Sequence, residues 1–78
     1  MFKKLKLFYD REGDILHIDR ISPYSQQESE ELEDGIIARM NPETNEIENL
    51  EVLFFSTRLP RSNEFELPIL ANFRLALS

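Results

Sequence analysis

Residues 9–18 have the sequence YDREGDILHI, and they predict a β-hairpin around which the rest of the fold is arranged. Apolar and polar side chains alternate before and after a short acidic turn, and this period of two residues is typical of strands with one buried face. In the turn, aspartate side chains can accept hydrogen bonds from nearby backbone amides, and Gly13 tolerates a positive φ. We therefore predict a first strand over residues 2–9 and a second over residues 15–21.

Two apolar segments downstream predict further strands, at residues 36–40 and at residues 46–55. The turn between them contains Pro42, which suits position i+1 of a β-turn. Part of the acidic segment, residues 28–34, could pair as a short edge strand. A last short strand could form at residues 65–67.

The C-terminal segment has two interpretations that the sequence leaves open. Pro68 could occupy the first turn of a helix that ends near Leu77, or the chain could stay extended and cover one face of the sheet. The predicted fold class is thus mainly β, a small antiparallel meander of four to five strands with a short C-terminal helix or extended segment. Its predicted core consists of Leu5, Leu7, Tyr9, Leu16, Ile18, Leu50, Val52 and Phe54.

The composition limits the classes of function. A chain of 78 residues holds one small core, and the absence of cysteine excludes disulfides, thiolate metal sites and a thiol nucleophile. The net charge of -6 opposes binding to a nucleic-acid backbone and favours a basic partner. No apolar run approaches the roughly 20 residues of a membrane span. The basic N-terminus lacks the apolar stretch of a signal peptide, so we expect a cytoplasmic protein.

The densest charge in the chain is a run of five acids within seven residues. A patch of one sign accelerates association with a partner of the opposite sign, although many such runs are simply solvated. We predict a docking surface for a small basic protein at Glu28, Glu30, Glu31, Glu33 and Asp34.

The hairpin turn spaces Asp10, Glu12 and Asp14 like the first ligands of a calcium loop, since hard cations prefer carboxylate oxygens. The spacing then fails, because an EF-hand requires glycine at its sixth position and glutamate at its twelfth, where Ile15 and Ile21 stand. Binding of a divalent cation or a small ligand is the alternative hypothesis. The simpler one is a turn stabilised by hydrogen bonds from the backbone to aspartate.

His17 is the single histidine, so a two-histidine metal site cannot form within one chain. As a general base it would need an orienting carboxylate, such as Asp19, and a nucleophile, such as Ser22 or Ser25. No nucleophile elbow surrounds these residues. We predict no catalytic residue, no enzymatic activity and no cofactor.

Apolar residues also alternate onto the second face of the predicted sheet. A short chain has no further layer with which to cover both faces, and two-fold dimers are the commonest closed assembly. We predict a homodimer in which either the second faces or the C-terminal segments of two chains meet. The predicted dimer face consists of Phe2, Phe8, Ile15, Leu53 and Phe55.

Three motifs follow one another along the chain: Tyr9-Asp10-x-Glu12-x-Asp14-x-Leu16-x-Ile18, then Gly35-Ile36-Ile37, and then Ile47-x-x-Leu50-Glu51-Val52-Leu53. In this order and spacing the chain resembles the small bacterial and archaeal family called domain of unknown function 2283. The resemblance covers about residues 5–55 of a single domain over residues 1–78, with residues 56–78 as a C-terminal extension.

The resemblance implies a compact antiparallel sheet with little helix, and no established reaction. Some relatives are thought to lie beside small toxin-like proteins. It therefore implies a protein-interaction module, with an antitoxin-like role as the specific hypothesis.

Overall fold

The computed structural model describes residues 4–58 and 64–76 of the chain. Within them, antiparallel strands form one sheet, which confirms the mainly β fold class, and a single 3₁₀ turn follows the last strand. The elements are β1 (Lys6–Asp10), β2 (Ile15–Asp19), β3 (Glu28–Glu33), β4 (Ile36–Met40), β5 (Ile47–Leu53) and the 3₁₀ turn (Phe55–Thr57).

The strands are arranged in the order β1-β2-β5-β4-β3. The predicted hairpin β1–β2 is confirmed, and β4 has the predicted bounds. The order is not strictly sequential, because β5 lies between β2 and β4. Residues 20–27 therefore carry the chain from β2 to the far edge of the sheet, where β3 pairs with β4. Strand β5 is central, and β1 and β3 are the outer strands.

Both predicted turns form through side chains that accept backbone hydrogen bonds. At the β4–β5 turn, Asn41 Oδ1 accepts from the amides of Glu43 at 2.8 Å and Thr44 at 3.1 Å. Asn45 closes the turn with φ 63°, a left-handed conformation that asparagine tolerates better than most residues. A short loop with a fixed shape therefore sets how β4 and β5 pair.

We call the side of the sheet that bears Leu50 and Val52 the first face, and the side that bears His17 and Glu51 the second face. The core lies on the first face, along the neighbouring inner strands β4 and β5. Leu50 and Val52 are buried as predicted, while Leu16 and Ile18 are half-buried. The buried apolar side chains are Ile36, Ala38, Leu50 and Val52.

The predicted core was wrong at the edge of the sheet. An outer strand has a neighbour on one side only, so its side chains find fewer atoms to pack against. The residues of β1 and the position before it are accordingly exposed, at 49% for Leu5, 60% for Leu7 and 38% for Tyr9.

Strand β5 ends before the predicted residue 55 because Phe54 adopts a left-handed conformation, with φ 54° and ψ 42°. Phe54 was predicted in the core and is 61% exposed. The left-handed residue also breaks the alternation of faces. The ring of Phe55 lies 5.8 Å from that of Tyr9, so Phe55 belongs with the first face. Its predicted position on the second face was wrong.

Residues 64–76 form neither the possible strand at residues 65–67 nor a helix from Pro68 to residue 76, and Leu77 lies outside the described residues. The non-helical alternative is the one that forms, with a bend at Pro68 and Ile69 where the Ile69 amide donates to the Leu67 carbonyl at 2.8 Å. Phe65, Leu67 and Ile69 are half-buried and alternate with exposed residues, and the ring of Phe65 lies 6.1 Å from that of Phe55. In the part of the chain that the structure describes, we find no helix with the length and apolarity needed to cross a membrane.

Candidate functional site

Strand β3 is an outer strand whose side chains are mostly carboxylates. It pairs with β4 on one side, and no strand lies on its other side among residues 4–58 and 64–76. Glu28 and Glu30 pair with residues of the first face, and Glu31 pairs with Ile37 on the second, so the carboxylates project from both faces. All five predicted docking acids are exposed, and none forms a salt bridge within the described residues.

The end of this strand is held by backbone groups rather than by ion pairs. Glu31 Oε2 accepts a hydrogen bond from the Gly35 amide at 3.1 Å. The Arg58 guanidinium donates to the carbonyls of Leu53 and Asp34, each at 2.9 Å. Gly35 has φ 78°, and a Cβ there would collide with that guanidinium. These contacts fix the shape of the turn from β3 to β4. The carboxylates of β3 stay exposed beside it.

Strands β3 and β5 each contain a β-bulge, which interrupts the alternation of side chains between the two faces. Leu32 is the extra residue of β3, since Glu31 pairs with Ile37 and Glu33 with Ile36. In β5 the extra residue is Glu48, which lies between two residues paired with consecutive positions of β4. A bulge redirects the side chains on either side of it, so the period of two cannot place them.

Glu48 is the centre of a buried polar network that the sequence analysis missed. It is 9% exposed, and its Oε1 accepts hydrogen bonds from Tyr24 Oη at 2.7 Å and from Gln27 Nε2 at 3.0 Å. Its Oε2 accepts from Asn41 Nδ2 at 3.1 Å. The hydrogen bonds from Gln27, Tyr24 and Asn41 lower the pKa of the Glu48 carboxyl, although burial opposes them. The bond to Glu48 also raises the pKa of Tyr24.

Asn49 extends the network to the end of β2. Asn49 is 2% exposed, and its Nδ2 donates to Asp19 Oδ1 at 2.9 Å and to the Ile21 carbonyl at 2.8 Å. Gln27 Nε2 donates to Asn49 Oδ1 at 2.6 Å as well as to Glu48, so two consecutive residues of β5 meet the same amide. The bulge makes this convergence possible. The network thus fastens the crossover segment, residues 20–27, to the central strand and sets where β3 begins.

Two acids of the hairpin turn, Asp10 and Asp14, are occupied by internal hydrogen bonds. Asp10 Oδ1 accepts from the amides of Glu12 at 3.1 Å and Gly13 at 3.3 Å. Across residues 4–58 and 64–76, no three acidic or histidine side chains converge in a way that could hold a metal ion. The structure therefore does not bring Asp10, Glu12 and Asp14 together as a ligand set. Cation binding at this turn stays a prediction, which calorimetry with calcium, magnesium or manganese can test.

Asp14 ties the hairpin turn to the end of the sheet. It has φ 56°, and its carboxylate accepts from Tyr9 Oη at 2.6 Å, the Ser56 amide at 3.0 Å and Ser56 Oγ at 2.7 Å. The bonds from Tyr9 and Ser56 lower the pKa of the Asp14 carboxyl, and the same contact raises the pKa of Tyr9. The hydrogen bonds of Asp14 thus connect the start of β2 to the 3₁₀ turn.

His17 lies on the second face in a row of charged and aromatic side chains. Its Nδ1 is 3.8 Å from Glu51 Oε2, and Arg39 Nη2 lies 3.2 Å from the same oxygen. The ring of Phe8 is 5.6 Å from the His17 ring. The carboxylate beside His17 is that of Glu51, while Asp19 accepts a hydrogen bond from Asn49.

The predicted dimer face is brought together in part. Phe8, Ile15 and Leu53 lie on the second face, where Phe8 is 53% exposed and the other two are half-buried. Phe55 lies with the first face, as described above, and Phe2 is outside the described residues.

No curated protein and no solved structure matches this chain. A protein-family model described as "Protein of unknown function (DUF2283)" matches residues 6–56. The matched stretch begins with the first residue of β1, includes every strand of the sheet and ends inside the 3₁₀ turn. It therefore includes the acidic outer strand, the buried polar network and Asp14 with its hydrogen-bond partners. It covers well over half of the 78 residues. The chain is a member of the DUF2283 family of proteins of unknown function.

Proposed function

We propose that this protein is an interaction module that docks a small basic protein along β3. The observation that carries the proposal is an outer strand with four exposed carboxylates, followed by a fifth at Asp34 in the next turn. None of the five forms a salt bridge within the described residues. Such an edge presents both unpaired backbone groups and a concentrated negative charge. A partner that supplies lysine or arginine side chains satisfies the charge, and an extended segment of that partner satisfies the backbone.

The charge also selects against the wrong partners. Two copies of β3 placed edge to edge would bring like charges together, which disfavours self-association through this strand. Nucleic acid is disfavoured for the same reason, since its backbone is negative and the protein has a net charge of -6. A basic protein is the class that the edge attracts, and attraction of this kind raises the rate of association.

Within this class we favour an antitoxin-like role toward a small basic toxin, acting as a homodimer. The support is the small size and acidity of the chain and the apolar residues on both faces of its sheet. A sheet with two apolar faces gains stability when both are covered. The chain acts by binding, and we assign it no catalytic step.

The experiment compares two triple variants that change the net charge equally. The first, Glu28→Lys with Glu30→Lys and Glu33→Lys, reverses the charge of β3. The matched control, Glu12→Lys with Glu43→Lys and Glu46→Lys, reverses three exposed acids in turns and at a strand end. Circular dichroism first establishes that both variants keep the β fold.

The tagged parent protein is then purified from its native host, its partner is identified by mass spectrometry, and affinities are measured by calorimetry. We expect a basic partner whose affinity falls at least tenfold for the β3 variant and changes little for the control. An acidic partner, no stoichiometric partner, or equal weakening by both variants would overturn the proposal.

A further inference from the structure

The C-terminal segment, residues 64–76, carries apolar side chains that the described part of the chain does not cover. Residues 64–70 still alternate between exposed and half-buried positions over the first face. Beyond them the alternation ends, and Leu70, Phe73 and Leu75 are 102%, 84% and 88% exposed. Such exposure of three large apolar residues within six positions is unusual for a protein that stays monomeric.

An open groove lies between this segment and the first face. Its volume is about 910 Å³. Leu5, Leu7 and Ile18 line it from the sheet, while Ile69 and Phe73 line it from the segment. Leu5 and Leu7 are about half exposed, so the sheet side of the groove is as incompletely covered as the segment. One chain thus displays two apolar surfaces that face a shared empty space.

The area of these surfaces matches that of a stable interface. Leu5, Leu7, Tyr9, Leu70, Phe73 and Leu75 together expose roughly 840 Å² of surface, taking about 200 Å² for a fully exposed large residue. The largest apolar patch on a typical monomer is about 300–600 Å². A standard interface between two proteins buries about 800 Å² from each partner.

We infer that the groove is filled by the C-terminal segment of a second copy, in a two-fold dimer where residues 70–76 of each chain pack against the first face of the other. This inference rests on the proposed homodimer and locates its interface. A second copy fits because every chain supplies both the groove and the segment that fills it. In a two-fold dimer each segment fills the partner's groove, so the assembly closes at two chains. The groove lies at the β1 side of the sheet, so the two acidic β3 edges stay apart and accessible.

The first experiment measures mass by sedimentation equilibrium between about 1 and 200 μM, a range that includes the micromolar dissociation constants of the weaker standard-size interfaces. We expect the parent to approach twice the 9.2 kDa chain mass and Phe73→Glu with Leu75→Glu to remain monomeric, with dissociation at least tenfold more favourable. Phe8→Glu is the control, since it places an acid at another exposed aromatic position, on the second face of the sheet.

The second experiment uses the absence of cysteine in the chain. Leu7→Cys and Phe73→Cys proteins are mixed, refolded together and oxidised, with Glu43→Cys replacing Leu7→Cys as the control. We expect a disulfide between the two different chains for the first pair and none for the control pair.

The outcomes separate this inference from the proposed function. A dimer that Phe8→Glu disrupts and the segment variants do not would overturn the inference and leave the homodimer in place on the second face. A parent that is monomeric throughout the range, with its own segment closing the groove, would overturn both the inference and the homodimer. Docking of a basic partner on β3 is measured separately and does not depend on either result.

Discussion

Replacement of Asn49 by leucine tests whether the buried polar network holds the crossover segment, residues 20–27, and through it β3. Asn49 is 2% exposed, and its amide bonds Asp19, the Ile21 carbonyl and Gln27. Leucine has the same number and branching of side-chain heavy atoms, so the change removes hydrogen bonds without opening a cavity.

The magnitude follows from the groups that lose a partner. Gln27 keeps its bond to Glu48, whereas Asp19 Oδ1 and the Ile21 carbonyl lose the donor they share. Each polar group left unsatisfied costs about 1–3 kcal/mol, and burial of the leucine side chain offsets up to about 2 kcal/mol. We expect the free energy of unfolding to fall by about 2–3 kcal/mol, against a total of roughly 4–12 kcal/mol for a domain of this size.

Urea unfolding followed by far-ultraviolet circular dichroism measures the loss, and Gln26→Leu is the control because Gln26 is exposed. Amide hydrogen exchange should also accelerate over the crossover segment and β3 more than over the hairpin β1–β2. A loss below about 0.5 kcal/mol, the usual range of surface substitutions, would refute the reasoning. Unchanged exchange at β3 would do the same.

Two further substitutions test the groups that fix the ends of the sheet. Gly35→Ala should lower the free energy of unfolding by about 1–3 kcal/mol, since alanine is strained at a positive φ and its Cβ meets Arg58; thermal unfolding measures this, and an unchanged melting temperature would contradict it. For Asp14, whose pKa is lowered by Tyr9 and then by Ser56, the stabilising contribution is complete above the ordinary pKa of 3.8 and is lost as pH falls through the lowered folded value. The free energy of unfolding of Asp14→Asn should therefore change less with pH below about 4 than that of the parent. Acid unfolding followed by circular dichroism measures this, and the same pH dependence in both proteins would argue against the role of this carboxylate.

The local sequence was sufficient to predict the elements that have a regular apolar pattern. The hairpin β1–β2 was predicted from its period of two and its turn, and β4 from a short apolar run after Gly35. Strand β3 was predicted only as one possibility, and it does form. Its side chains show no alternation, since an outer strand exposed on both faces can be built from polar residues throughout. Its existence depends on pairing with β4, which is a tertiary contact.

Two features of the candidate site depend on single residues that break the regular geometry. Glu48 is in phase with Leu50 and Val52, and an acid in phase with core residues was the available sign that it has buried partners. The bulge that directs it toward Gln27 has no signature in the local sequence. Phe54 is similar, because a bulky residue rarely adopts a left-handed conformation and no propensity would suggest it there.

The conformation of Phe54 also has a consequence for how this protein can be extended. The family match ends at Ser56, two residues after the left-handed turn and at the residue that Asp14 holds. The sheet and the 3₁₀ turn therefore form a unit whose geometry does not depend on the sequence after Arg58. That geometry sets the direction in which the following segment leaves the sheet. We expect an unrelated apolar tail grafted at that point to be delivered over the first face, so that a change of tail would change what the module assembles with while the acidic edge stays as it is.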